Sequence, residues 1–165
     1  MSNKSLFVIL SCFIIVLLFS LVIYFCYVRT YNDKYFGVSY SVDWTRVKGD
    51  TFKIKSRSGS TIEIKGQYDT SNTDVNDIYL DLNKKFLEKH SDYKLINTSL
   101  VLVGRDYSKG YELLYESDNR QELYIIVVKN NMIININFSS SIMTFDIDLT
   151  YFYDVVNSLE VGWYG

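Results

Sequence analysis

The chain has no proline and no alanine, a single histidine, and two cysteines, Cys12 and Cys26, both near its start. Each shortage excludes something. One histidine, His90, rules out a multi-histidine zinc site within one chain. With both cysteines upstream, the rest of the chain has no disulfide and no thiol nucleophile. No Gly-Lys-Ser/Thr occurs, and Gly104 and Gly110 stand isolated, so there is no phosphate loop. The net charge of −2 comes without a basic arm, which argues against duplex nucleic acid as a partner. No catalytic set, cofactor-binding set or metal-ligand set emerges, and the expected cofactor is none.

Missing alanine also bears on processing. The run Leu6–Val28 carries no charge and lies between Lys4 and Arg29. A cleaved signal peptide would have an apolar region of about 7–15 residues followed by a small-x-small site. Here the run is longer and ends in Phe25-Cys26-Tyr27-Val28, which is bulky. Phe25 also blocks a lipidation site at Cys26, and apolar sequence continues well past Cys12. Seventeen of its side chains are Leu, Ile, Val or Phe. At about −0.3 to −0.6 kcal/mol for each central position, insertion into a bilayer is favoured. As a helix rising about 1.5 Å per residue, the run exceeds the roughly 30 Å hydrocarbon core. The reading is a retained transmembrane helix, with the lipid bilayer as partner of residues 6–28. Residues 1–5 form a short tail, 29–35 a linker, and 36–165 a soluble domain. Lys4 on one side against Arg29, Lys34 and Asp33 on the other leaves the orientation undecided.

Fifteen Tyr and ten Phe stand out. With Ala and Pro absent and Ile, Asn, Lys and Tyr abundant, they read as coding bias rather than a binding signal. Many of them suit half-buried strand positions. Arg46, Lys48, Lys53, Lys55, Arg57 and Lys65 are the nearest approach to a basic cluster. Their alternation with Phe52, Ile54 and Ile64 marks the solvated face of a hairpin, with a patch for acidic partners or headgroups as the sharper alternative.

Phe36–Tyr40 reads as a strand. Thr51–Lys55 and Ser60–Gln67 alternate around Ser56-Arg57-Ser58-Gly59, a hairpin signal. The period then changes: Val75, Ile78, Tyr79, Leu82 and Phe86 form one stripe of a helix over 74–90, with Thr73 as N-cap. Strands follow over 94–107, Tyr111–Glu116, Leu123–Lys129 and Met132–Phe138. Asn130-Asn131 tolerates positive φ and predicts a tight hairpin turn. A second helix over 145–159 closes the chain, with Asp146 and Asp148 expected in its first turn. The plan is α+β, an antiparallel sheet covered by helices, and lacks the βαβ alternation of a doubly wound fold.

In that order of elements, Phe36-Gly37-Val38-Ser39-Tyr40-Ser41-Val42-Asp43-Trp44 resembles the opening of PsbP-like and Mog1-like domains, with Ser41 where the family usually has Pro. Tyr111–Glu116, Tyr124–Lys129 and Met132–Phe138 resemble the family's central meander, and Phe152 to Leu159 its closing helix. The likeness spans Phe36 to Val161. It implies an α/β/α sandwich that acts as a binding or assembly module without catalysis. Anchored prokaryotic relatives make it favour a domain outside the cytoplasm, at the cell membrane. No metal ligand carries over residue by residue.

The functional expectation is therefore a single-pass, membrane-anchored, non-enzymatic binding module whose partner is an envelope or membrane protein. Trp44, Lys53, Lys55 and Trp163 are the candidate partner contacts. Core packing for Trp44 and a loose tail for Trp163 are the plainer alternatives. A carboxylate- or metal-dependent enzyme is a second reading, and requires two carboxylates to meet in a cleft. A ligand sensor is a third. His90 is expected to complement the dipole at a helix end. Asn97-Thr98-Ser99 and Asn137-Phe138-Ser139 fit the N-glycosylation pattern, conditional on an external location.

Overall fold

At the centre of the structure, a computed structural model describing residues 3–69 and 75–162, is the hairpin of β8 (Arg120–Lys129) and β9 (Met132–Ser141). Asn130 and Asn131 form its turn with φ of 51° and 58°. Two consecutive positive φ values twist the turn in the same sense as the strands. The expected alternation on β9 holds. Met132, Ile134, Ile136 and Phe138 enter one core, while Ile133 joins a second cluster across the sheet.

The hairpin is extended on both sides. β7 (Ser108–Glu116) and β6 (Lys94–Val103) follow β8, and β5 (Thr61–Tyr68), β4 (Phe52–Lys55) and β3 (Thr45–Arg46) follow β9. The result is a seven-stranded antiparallel sheet in the order β3-β4-β5-β9-β8-β7-β6. A second, three-stranded sheet has the order β1-β2-β10, from β1 (Val28–Asn32), β2 (Phe36–Ser41) and β10 (Glu160–Val161).

One face of the large sheet packs against α3 (Ile142–Asn157) and the small sheet. Phe152 stacks on Phe138 with ring centroids 5.1 Å apart, and Phe36, Val38 and Trp44 complete that core. Gly104 lies where the end of β6 meets the end of α3. Its φ is 76°, and a Cβ there would approach the Leu159 carbonyl to 2.4 Å, so only glycine fits without displacement.

The other face is covered by α2 (Val75–Lys89), and only in part. Phe86 packs on Tyr115 and Tyr124 at centroid distances of 4.2 and 5.3 Å. The Tyr115 hydroxyl donates to Asn83 Oδ1 at 3.0 Å. No residue of α2 is fully buried. The helix sits over β7 and β8 and leaves the β5–β9 half of this face open.

Several expectations change. The segment 29–35 is not a linker: β1 begins at Val28 and pairs with β2 from Val28↔Ser41 to Asn32↔Gly37. The Val42 N–H donates to the Tyr27 carbonyl at 3.0 Å, so the first helix, α1 (Asn3–Tyr27), passes straight into the sheet. The closing helix starts three residues earlier than its apolar stripe suggested, because Ile142 and Met143 are helical yet exposed. Asp146 and Asp148 therefore lie beyond its first turn, and Asp148 is buried among turn hydroxyls rather than facing the helix dipole. Thr73 and Trp163 lie outside the described residues.

The expected span over Leu6–Val28 is helical to Tyr27. Among the described residues, however, no helix is long and apolar enough to cross a membrane.

Candidate functional site

Strand periodicity puts Glu63 and Lys65 of β5, Asn135, Asn137 and Ser139 of β9, and Glu122 and Tyr124 of β8 on the face that α2 half covers. Register then aligns them in rows. Glu63 lies opposite Asn137 and Asn137 opposite Tyr124; Thr61 lies opposite Ser139 and Ser139 opposite Glu122. Between these rows and the flank of α2 run two adjoining cavities of about 370 and 390 Å³, which share Phe86, His90 and Tyr124. Together they form one cleft, in the size range of small-ligand sites.

The cleft has two characters. Toward the start of α2 its walls are Ile78, Leu82, Phe86 and Ile133, with Asn135 in the floor. The Asn135 Oδ1 is buried and, among the described residues, has no hydrogen-bond partner. Such an orphan costs about 1–3 kcal/mol. Lys85, Lys89 and His90, from the last turns of α2 and just beyond it, border the same cavity; Lys85 pairs with Asp81 at 2.7 Å. No ion pair engages Lys89 among the described residues.

Toward the β4 edge the cleft is polar. Ser139 donates to Glu122 Oε1 at 2.7 Å, and Arg120 donates to the Ser139 hydroxyl. Burial pushes the Glu122 carboxyl above its ordinary range, against the opposing pull of Ser139, Asn137 and Arg120. Burial also raises the Tyr124 hydroxyl, with the nearby Glu122 charge adding to it. Glu63 moves the other way. Burial would raise it, but Lys65 at 2.9 Å, Lys53 at 3.5 Å and the Thr51 hydroxyl at 3.2 Å together hold it low. Two carboxylates therefore share one cleft with opposite displacements. Among the described residues, no three His, Cys, Asp or Glu side chains gather as metal ligands.

The four candidate contacts separate. Trp44 is 2% exposed and belongs to the main core, so it touches no partner from there. Lys53 lines the polar half of the cleft. Lys55 is exposed at the end of β4, and Trp163 lies outside the described residues. The basic cluster does not survive as a patch. Lys53 and Lys65 are tied to Glu63, and Arg46 lies 4.4 Å above the Tyr31 ring. His90 follows the end of α2 as expected, and also lines the cleft against Phe86, with ring centroids 4.7 Å apart. Asn137 is half-buried in the cleft, a poor glycan acceptor, whereas Asn97 is exposed on β6.

Glu63, Glu122, Tyr124 and Asn135 were not singled out from sequence. The available signal was asparagine at alternate positions of a strand flanked by isoleucines, since asparagine is depleted in strands.

A cyanobacterial PsbP from Synechocystis sp. PCC 6803 has the same arrangement, at a TM-score of 0.61 and 18% identity, over 82% of this chain and 92% of that one. The fold is PsbP-like. A Pseudomonas aeruginosa protein of unknown function, PA94, gives a TM-score of 0.49 at 11% identity, over 75% of this chain and 90% of that one. A Bacteroides thetaiotaomicron structure gives 0.42 at 11% identity, over 76% and 44%. At those scores the last two add nothing to the assignment. No protein-family model matches the chain. No curated protein matches it either. Within the PsbP-like fold of this chain, the cleft is where one helix underfills the face of the large sheet.

Proposed function

We propose that the chain is a single-pass, membrane-anchored binding module without catalysis, its PsbP-like domain held outside the cytoplasm. The observation that carries the anchor is α1. It is 25 residues long and uncharged from Leu6 onward, and the large apolar side chains of Phe7 and of Ile9 to Ile23 are 44–71% exposed. Such a helix, apolar on every side, needs lipid or protein around it. The binding role is supported by the PsbP-like fold and by the cleft that α2 leaves open. The external orientation rests on the likeness to anchored relatives of that family.

The anchor is tested by alkaline extraction of membranes and the orientation by protease accessibility of intact cells. Recovery in the soluble fraction overturns the anchor, and protection of the domain from added protease overturns the orientation. Crosslinking in intact membranes tests the binding role. Recovery of a specific envelope or membrane protein supports it, and nothing above an anchor-only control counts against it.

A second reading has one observation in its favour. Glu63 and Glu122 line the same cavity with carboxyls displaced in opposite directions, a pairing that can separate a proton donor from a base. A hydrolysis screen with Glu63→Gln and Glu122→Gln as controls tests it. Activity that both variants abolish supports an enzyme; equal turnover in all three removes the reading.

A further inference from the structure

A second groove lies where α1 enters the domain. Val38 and Tyr40 of β2 belong to the core, so strand alternation turns Ser39 and Ser41 to the opposite face. Tyr151, Asp154 and Ser158 recur along α3 at helical spacing and form the facing wall. Between the two walls are adjoining cavities of about 390 and 180 Å³, which share Ser39, Arg105 and Ser158. Tyr27 and Val28, the last two residues of the uncharged run, line the larger one. The Val42 N–H donates to the Tyr27 carbonyl, so no linker separates α1 from the groove. A bilayer that holds α1 therefore brings its headgroup layer to this groove. Tyr27 and Tyr151, 60% and 42% exposed, suit that depth.

The charges narrow the occupant. Arg105 and Asp154 line the larger cavity. Arg105 meets Glu160 through Nη1 at 2.7 Å, and the other N–H groups of its guanidinium can serve an oxyanion. No ion pair engages Asp154 among the described residues. With Glu160 on the smaller cavity, the groove carries one cation and two anions. That balance disfavours an anionic headgroup and suits a zwitterion whose cationic end meets Asp154.

We propose that this groove binds the headgroup of an ethanolamine phospholipid, with the phosphate at Arg105 and the ammonium at Asp154. The inference deepens the membrane-anchored reading and rests on its anchor. A primary ammonium brings three N–H donors to the Asp154 carboxylate, whereas the trimethylammonium of a choline lipid brings none. The groove thereby selects among lipids of equal net charge.

The test titrates the full chain in detergent micelles with dioleoyl phosphatidylethanolamine, phosphatidylcholine and phosphatidylglycerol, and reads retained lipid by native mass spectrometry. One phosphatidylethanolamine is retained per chain, with a preference over the other two of roughly twofold to fivefold, as expected for a charge pair at a solvent-facing site. Asp154→Asn abolishes the preference over phosphatidylcholine. Asp146→Asn, the same change on an exposed position of α3 outside the groove, keeps it. Arg105→Gln weakens the ethanolamine and choline lipids alike, and unchanged melting temperatures show that the variants are folded. Equal retention of the three lipids overturns the proposal, as does an Asp154→Asn variant that keeps the preference. Water-soluble glycerophosphoethanolamine binding as tightly as the lipid would make a free phosphodiester the ligand and overturn the lipid assignment. Alkaline extraction decides the anchor separately: loss of preference in a chain that resists extraction sinks the headgroup proposal alone.

Discussion

Ser58, in the turn between β4 and β5, donates a hydrogen bond to the buried carboxylate of Asp148 on α3. Ser56 reaches the same oxygen at 3.3 Å. Behind them Ser60 and Ser140 share a hydrogen bond of 2.7 Å, and Ser140 meets Thr144 at 2.8 Å. A helix side chain thus fastens a hairpin turn distant in sequence, and the turn hydroxyls satisfy a charge that burial would otherwise penalise.

Asp148→Ala leaves Ser56 and Ser58 without their acceptor. The expected loss is about 1.5–3 kcal/mol, the worth of hydrogen bonds to a charged group. Asp148→Asn keeps one acceptor oxygen and loses less. Chemical denaturation of the two variants checks the order.

Glu122 and Glu63 have opposite pH signatures. The folded state holds Glu122 above 4.5, so its contribution to stability is present below that pH and is lost as pH rises through the raised value. Glu122→Gln removes this loss. The variant is at least as stable as the parent at pH 7.5, and its advantage shrinks at pH 4. Glu63 is held below 4.5, so its contribution is present above that pH and is lost as pH falls through the lowered value. Glu63→Gln costs stability at pH 7.5 and little at pH 3. Thermal unfolding of parent and variants across this range checks both signs.

The two helices are not held equally. Phe152 of α3 is fully buried against Phe138, and Phe152→Ala costs about 3–5 kcal/mol. Phe86 of α2 is half-buried and borders an open cleft, so Phe86→Ala costs less and loosens α2 locally. Hydrogen exchange separates the two. Protection falls throughout the domain in the first variant, and falls mainly over Val75–Lys89 in the second.

Asn131 holds a φ of 58° in the β8–β9 turn. Asn131→Gly converts the turn to Asn-Gly, the favoured pair for this geometry, and holds or raises the melting temperature. Asn131→Val places a β-branched residue in the left-handed region and costs on the order of 1–3 kcal/mol. A melting temperature that moves the other way in either variant contradicts this account of the turn.

Much of the fold is legible along the chain. The alternation of Met132, Ile134, Ile136 and Phe138, the Asn130-Asn131 turn and the stripe of α2 all follow from local backbone periods, and all recur in the structure. The segment after Tyr27 is not legible as a strand, because a polar stretch such as Arg29-Thr30-Tyr31-Asn32 carries no alternation of its own; pairing with β2 makes it one. The candidate site was less legible still. Lys53 stands out in the sequence only by its charge, not by the cleft it lines, and the ring of Trp44 is core.

By itself the sequence determined the α+β plan, the identity of the apolar faces and the uncharged helix at the start, because each depends on residues within a few positions of one another. The tertiary structure alone decided that Asp148 serves a distant turn and that Glu63 and Glu122 share a cleft with opposite shifts. It also left Asn135 Oδ1 without a partner among the described residues. Those outcomes depend on which strands become neighbours and on how much of the sheet α2 covers. Both are settled by packing between segments far apart in the chain, and the charge and solvation of each group follow from that packing.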